Sequence, residues 1–191
     1  MEKIKTYDKI IFSAFEEFSN SGYNGTSINQ IIKKANVSKG ALYHYFKSKE
    51  DLFLKTIEFF SKQIMNGFSE YIPLTLEDIK NFGFESLKMY KENIQIQKFT
   101  LEVMIESSRN NSVKMKLNDL MNMFMNLFEN LFKEYKKMGL LKKDTDTKLI
   151  SQKTFILLDS LGLYISFDFK IEYEKIWNDF IDNELSRYWT K

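Results

Sequence analysis

Within a dozen residues the chain places Ser38, Lys39, Gly40, Tyr43, His44, Lys47 and Lys49, a set of hydroxyl, ammonium, imidazole and bare-backbone groups suited to a polyanion. Between Thr26 and Lys49 stand five lysines (Lys33, Lys34, Lys39, Lys47 and Lys49) and no acid. The whole chain carries a net charge of only +2, so this basic stretch is local. Residues 1–50 hold eight lysines against five acids, while the remainder is nearly balanced at 20 basic and 21 acidic. A cationic patch of this kind on one short segment points to nucleic acid.

Other chemistries find little support. His44 is the sole histidine and there is no cysteine, so no second soft ligand can join it around a metal, and disulfides are excluded. No glycine-rich phosphate loop or nucleophile motif is present. Carboxylate pairs such as Glu16-Glu17 fall on exposed helix faces, where solvated charge is the simpler account. An enzyme is therefore disfavoured; two buried, pKa-shifted carboxylates in a cleft would reopen that reading. No catalytic residue, metal or cofactor is assigned.

These groups must be positioned, and the pattern around them is helical. One proline and seven glycines in 191 residues favour long helices over strands and turns. Ile4, Tyr7, Ile11, Ala14, Phe15 and Phe18 recur at helical steps, which predicts a helix over 3–20 ended by Gly22, with a turn at Asn24-Gly25. Ser27 and Gln30 make an S-x-x-Q capping box for a second helix whose Ile28, Ile31, Ile32 and Ala35 turn inward. Asn36 tolerates the positive φ of a tight turn, and Ser38 caps a third helix. There Leu42, Tyr45 and Phe46 share one side, with Gly40, Tyr43, His44 and Lys47 opposite.

Beyond it, Ser48 and Asp51 open a helix running to about Glu70, and Thr75 with Asp78 caps another ending near Glu92. Further helices are expected over 95–108, 113–138 (stopped by Gly139), about 146–169 (capped by Asp144 or Asp146) and 172–188. The fold class is all-α, about nine helices, with a helix-turn-helix at about 27–46. The expected domains are a DNA-binding domain at 1–50 and an effector-binding and dimerisation domain at 51–191.

Phe15 through Gly22-Tyr23, Thr26-Ser27-x-x-x-Ile31, Ala35-Asn36-Val37-Ser38-Lys39-Gly40-Ala41-Leu42-Tyr43-His44-Tyr45-Phe46 and Lys49-Glu50-Asp51-Leu52 together resemble the DNA-binding domain of the TetR family of transcriptional regulators. The resemblance covers about the first 55 residues; the rest is similar only in being helical. Two positions depart from the family pattern: Ile32 stands where alanine is usual, and Asn36 where glycine is usual.

The resemblance implies DNA contacts. Thr26, Ser27 and Ser38 are expected to set hydroxyls and helix N-terminal amides against phosphates, with Lys39 reaching a phosphate or a guanine edge. Gly40 and Ala41 lie where backbone approaches the duplex, Tyr43 gives its hydroxyl to a phosphate, His44 meets phosphate or a base edge, and Lys49 grips the backbone. It further implies a homodimer on a palindromic double-stranded DNA operator, joined through the helices at about 146–169 and 172–188.

For the second region, Met89, Phe99, Met104, Met121, Phe124, Met125 and Phe155 are adaptable pocket liners around a small apolar or aromatic effector of unknown identity. The alternative is the same DNA-binding protein with no effector, controlled by a partner or organising DNA. Phe155 to Phe169 is short and broken by Asp159 and Asp168, and no apolar leader opens the chain, so the expected location is cytoplasmic, with no membrane partner.

Overall fold

The structure is a computed structural model that describes residues 5–69 and 72–190, with side chains of 66–69 left aside. Among these residues the elements are helices α1 (Thr6–Gly25), α2 (Ile28–Ala35), α3 (Lys39–Tyr45), α4 (Lys49–Ser69), α5 (Leu76–Glu92), α6 (Ile94–Ser107), α7 (Asn111–Lys137), α8 (Thr147–Ser166) and α9 (Tyr173–Asp179), followed by a π turn and a 3-10 turn. The all-α expectation holds. Ile4 and Glu70, expected at the ends of α1 and α4, lie outside the described residues.

The chain divides into two compact units, which do not coincide with a single cut after residue 50. The first contains residues 1–68 and 95–120, so α6 and the first part of α7 belong with the helix-turn-helix. The second contains residues 69–94 and 121–191.

In the first unit, the short helices α2 and α3 fold against α1 through residues that periodicity marked as apolar. Ile10, Ile11, Ala14, Phe18, Ile31, Leu42, Phe46, Leu52 and Phe53 are all fully buried. Aromatic rings extend this core: Phe15 stacks on Phe60 with centroids 3.9 Å apart, and Phe18 meets Phe53 edge-on at 4.8 Å. Lys34 of α2 reaches back to Glu16 and Glu17 of α1 at 2.8 and 3.0 Å. Glu16 is exposed as expected, and the pair also links α1 to α2 through Lys34.

Helix α1 runs further than its apolar pattern implied. It breaks at Gly22, with φ +70° and ψ 169°, yet turns on helically through Asn24 to Gly25. That combination is open to glycine and essentially closed to other residues.

In the second unit, α5 packs on α8 and α9. Trp177 is the largest buried side chain, 1% exposed. Its Nε1–H donates to the Lys80 carbonyl of α5 at 3.1 Å. Gly83 leaves the space this indole fills, since a Cβ there would lie only 2.2 Å from the ring.

Three expectations for this unit need correction. Helix α8 ends at Ser166 rather than Phe169, because Asp168 takes φ +54°. The expected helix at 172–188 breaks into α9, a π turn at Phe180–Glu184 and a 3-10 turn at Leu185–Tyr188. In a straight α-helix Leu185 would sit about 80° around from Trp177. The wider π turn restores it to the inner face, where Phe180, Ile181 and Leu185 are all buried. The backbone after it pairs with the α7–α8 connection: Lys142 N–H donates to the Tyr188 carbonyl, and Thr190 N–H to that of Leu140. Finally, on the two segments expected to join a second subunit, Leu158, Leu161, Ile165, Trp177, Phe180 and Ile181 are buried within one chain.

Candidate nucleic-acid interface

Local signals set up the reading head. Ser27 caps α2 in a reciprocal box: the Gln30 N–H donates to Ser27 Oγ at 3.3 Å, and the Ser27 N–H donates to Gln30 Oε1 at 2.7 Å. Asn36 ends α2 at φ 52°, ψ 51°, the left-handed turn expected of it. Ser38 Oγ accepts the Ala41 N–H at 3.1 Å and starts α3. Each cap of this kind contributes on the order of 1 kcal/mol.

On α3, Leu42 and the following Phe46 are fully buried, while Lys39, Gly40, Tyr43 and His44 are exposed and Ala41 is half-buried. Tyr45, expected inside, is 37% exposed and lies edge-on to Tyr7. Lys39 Nζ sits 5.9 Å from the centre of the Tyr43 ring, so an ammonium and a phenol are presented side by side. Lys33 and Lys47 are also exposed, and neither has an ion pair among the described residues. Lys47 is among the groups that the sequence sets against a polyanion, and the signal for Lys33 is its place in the acid-free run.

Gly40 is instructive. A Cβ there would meet nothing closer than Ser38 Oγ at 3.9 Å, so the fold itself has no need of glycine. Glycine inside a helix costs about 0.8–1 kcal/mol relative to alanine. Gly40→Ala is therefore expected to raise thermal stability slightly while weakening DNA binding, two opposite signs read by calorimetry and by anisotropy titration of labelled DNA.

Two residues expected at phosphates have partners inside the protein. Thr26 is only 2% exposed, and its hydroxyl donates to the carbonyls of Gly22 at 2.7 Å and Glu17 at 3.0 Å. Lys49 Nζ donates to the carbonyls of Tyr23 at 2.9 Å and Thr26 at 3.1 Å, and lies over the Tyr23 ring at 4.3 Å. The Thr26 hydroxyl and two of the three Lys49 N–H groups are thus spent inside the protein, fastening the α1–α2 connection.

The seven ligand-lining candidates divide between the units. Phe99 and Met104 are in the first, where Phe99 is core, 5.1 Å from Phe15 and 5.7 Å from Phe53. Met89, in the second, is 55% exposed. Met121, Phe124 and Met125 are half-buried on α7, and Phe155 of α8 lies 6.2 Å from Phe124 and 5.3 Å from Phe128.

One turn past Phe155, Asp159 accepts a hydrogen bond from the Tyr90 hydroxyl of α5, whose ring fills the space left by Gly162. Burial pushes the Asp159 carboxyl above its ordinary value of 3.8, against a smaller lowering by Tyr90. Protonation thus favours the folded state; that contribution is full below the unfolded pKa and is lost as pH rises through the folded one. Asp159→Asn is expected to raise Tm at pH 7, with the gain closing as pH falls toward the ordinary carboxyl range.

Two short helices joined at a left-handed asparagine, with a cationic and hydroxyl-bearing outer face on the second, define a helix-turn-helix DNA-binding protein. Among the described residues no cluster of three or more His, Asp or Glu is arranged for a metal, and no helix is long and apolar enough to cross a membrane. Residues 10–56 match the profile of "Bacterial regulatory proteins, tetR family", and residues 75–176, over half the chain, match "YsiA-like protein, C-terminal region". The chain belongs to the TetR family of transcriptional regulators.

Among relatives, the regulator QacR of Staphylococcus aureus is 32% identical over 117 residues, covering 60% of this chain and 62% of QacR. The biofilm operon negative regulator IcaR of Staphylococcus epidermidis is 31% identical over 83 residues, 44% of this chain and 42% of IcaR. The chain thus spans less than two thirds of the length of either. Among solved structures, the fatty acid degradation regulator FadR from Bacillus halodurans is 25% identical over 98% of this chain and 100% of that one, with a TM-score of 0.71.

Proposed function

We propose that this protein is a cytoplasmic repressor that binds a palindromic operator as a homodimer and releases it when a small apolar or aromatic effector binds. The observation that carries the reading is the outer face of α3, where Lys39, Gly40, Tyr43 and His44 stand exposed and unburdened by the core. Residues 1–50 supply the DNA contacts, and residues 51–191 the effector and dimer functions. Repression is supported by the described role of IcaR as a negative regulator.

For dimerisation, the support is a row of large apolar side chains left exposed on and after α8: Leu149, Ile156, Tyr164, Phe167 and Phe169, between 47% and 58% exposed. With Ile176 of α9 at 41%, they form the surface a second copy would cover. One recognition helix reads few base pairs, so two heads set by this contact read a palindrome. For the effector, Met121, Phe124, Met125 and Phe155 supply adaptable apolar lining. An effector acts by favouring a conformer whose two heads no longer match successive major grooves.

The test begins with selection of bound duplexes from a random pool. A palindromic consensus, a dimeric mass at micromolar concentration and release by an apolar compound support the reading. Specific binding with no release by any such compound would leave the effector-free alternative.

A further inference from the structure

Helix α6 lies along the end of α1 and holds it from one face. Gln95 Nε2–H donates to Asn20 Oδ1 at 3.2 Å, and two turns later Glu102 Oε1 accepts the Tyr23 N–H at 2.6 Å. Residues 95, 102 and 106 fall within about 40° of one another around a helix, so one side of α6 provides these ties. Glu106 on that side is 6% exposed, with its Oε2 unpartnered among the described residues.

The Glu102 bond falls at the break in α1. Gly22 holds φ +70°, and a Cβ there would sit 3.1 Å from the Glu102 carboxylate, so the glycine makes room for the carboxylate that receives the next N–H. At the carbonyl end of the same residue, Lys49 Nζ donates to the Tyr23 oxygen, and also to that of Thr26. Tyr23 is thus held by an anion at its N–H and a cation at its carbonyl, four residues before Ser27 opens α2. The Tyr23 phenol, pushed up by burial and then by the charges of Glu50 and Glu106, lies in the same polar knot.

We infer that Glu102 is a positioning residue for DNA recognition: by fixing the Tyr23 N–H at the Gly22 break, it sets the direction in which the helix-turn-helix leaves α1. The assignment rests on the DNA-binding reading and adds to it a residue remote from the duplex. The bond is charge-assisted and partly buried, among the stronger kind in proteins.

The test compares Glu102→Ala, which removes the acceptor, with Glu102→Gln, which keeps an oxygen for the same N–H. Each full-length variant is titrated against the selected operator and against a duplex of unrelated sequence. Glu102→Ala is expected to weaken operator binding about tenfold or more while binding to unrelated DNA stays within about twofold. Glu102→Gln is expected to restore most of the operator affinity. In the free protein, the Tyr23 amide proton resonance should lie well downfield in wild type and in Glu102→Gln, and move upfield in Glu102→Ala. Unchanged operator binding by Glu102→Ala, equal loss on both duplexes, or a glutamine variant as defective as alanine would overturn the inference. If Glu102→Ala fails to fold, Glu102→Asp, which keeps the charge but withdraws the oxygen from the Tyr23 N–H, takes its place with the same expected and overturning outcomes. A wild-type protein with no sequence preference would strike the DNA-binding reading instead.

Discussion

Trp177→Ala is expected to lower the stability of the second unit by about 3–5 kcal/mol, the range for deleting a buried aromatic ring. The indole is 1% exposed, bonded through Nε1–H to the Lys80 carbonyl and stacked at 5.8 Å on Phe180. At this chain length about 1 kcal/mol moves Tm by roughly 2–4 °C, so a drop on the order of 10 °C should be visible by calorimetry. Gly83→Ala attacks the same contact from the other side. Its new Cβ would be 2.2 Å from the indole, and overpacking of this kind costs about 1–3 kcal/mol. The two changes are in direct contact, so they should not add. Once the ring is gone the Gly83→Ala methyl has room, and the double variant should be no worse than Trp177→Ala alone. A fully additive loss would show that the indole does not occupy the space at Gly83.

Lys39→Ala should produce the largest functional effect, at least about tenfold weaker operator binding with little change in Tm. The side chain is exposed at the first position of α3, 5.9 Å from the centre of the Tyr43 ring, so its removal costs the fold almost nothing. What it loses depends on the partner. A phosphate contact contributes uniformly across sequences, and its loss lowers the slope of log affinity against log salt by about one per head. A guanine contact contributes about 1–3 kcal/mol at one base position, and its loss relaxes the consensus there. Tyr43→Ala should follow the first pattern. Normal binding of every duplex by Lys39→Ala would mean that α3 is not the recognition helix.

Local chemistry was legible and distant chemistry was not. Ser27 with Gln30, Asn36, Ser38 and Thr75 with Asp78 each act within four residues, and the structure shows the caps and the left-handed turn that those types imply. Thr26 and Lys49 carry the right functional groups for phosphate, but their partners are carbonyls of α1 and its connection to α2, which no spacing rule reveals. Glu102 lies 79 residues from Tyr23, so nothing near it in the chain announces the bond. The segment at 172–188 has a convincing helical period. It nevertheless changes pitch, because burying Leu185 and pairing Tyr188 with Lys142 outweighs an unbroken α-helix. For α8 and α9, periodicity shows which side is apolar, not how much of it the same chain covers.

The bare outer face of α3 has a consequence for how such a regulator changes over time. Lys39, Gly40, Tyr43 and His44 contribute almost nothing to the core, whereas Leu42 and Phe46 beneath them are fully buried. On the proposed reading, the address that the protein reads and the stability of its fold are therefore written in separate letters of α3 and its C-cap. If these four positions set the target as proposed, substitutions there redirect the protein to new sites at little structural cost, and duplicated copies are free to diverge in target while the scaffold is held constant.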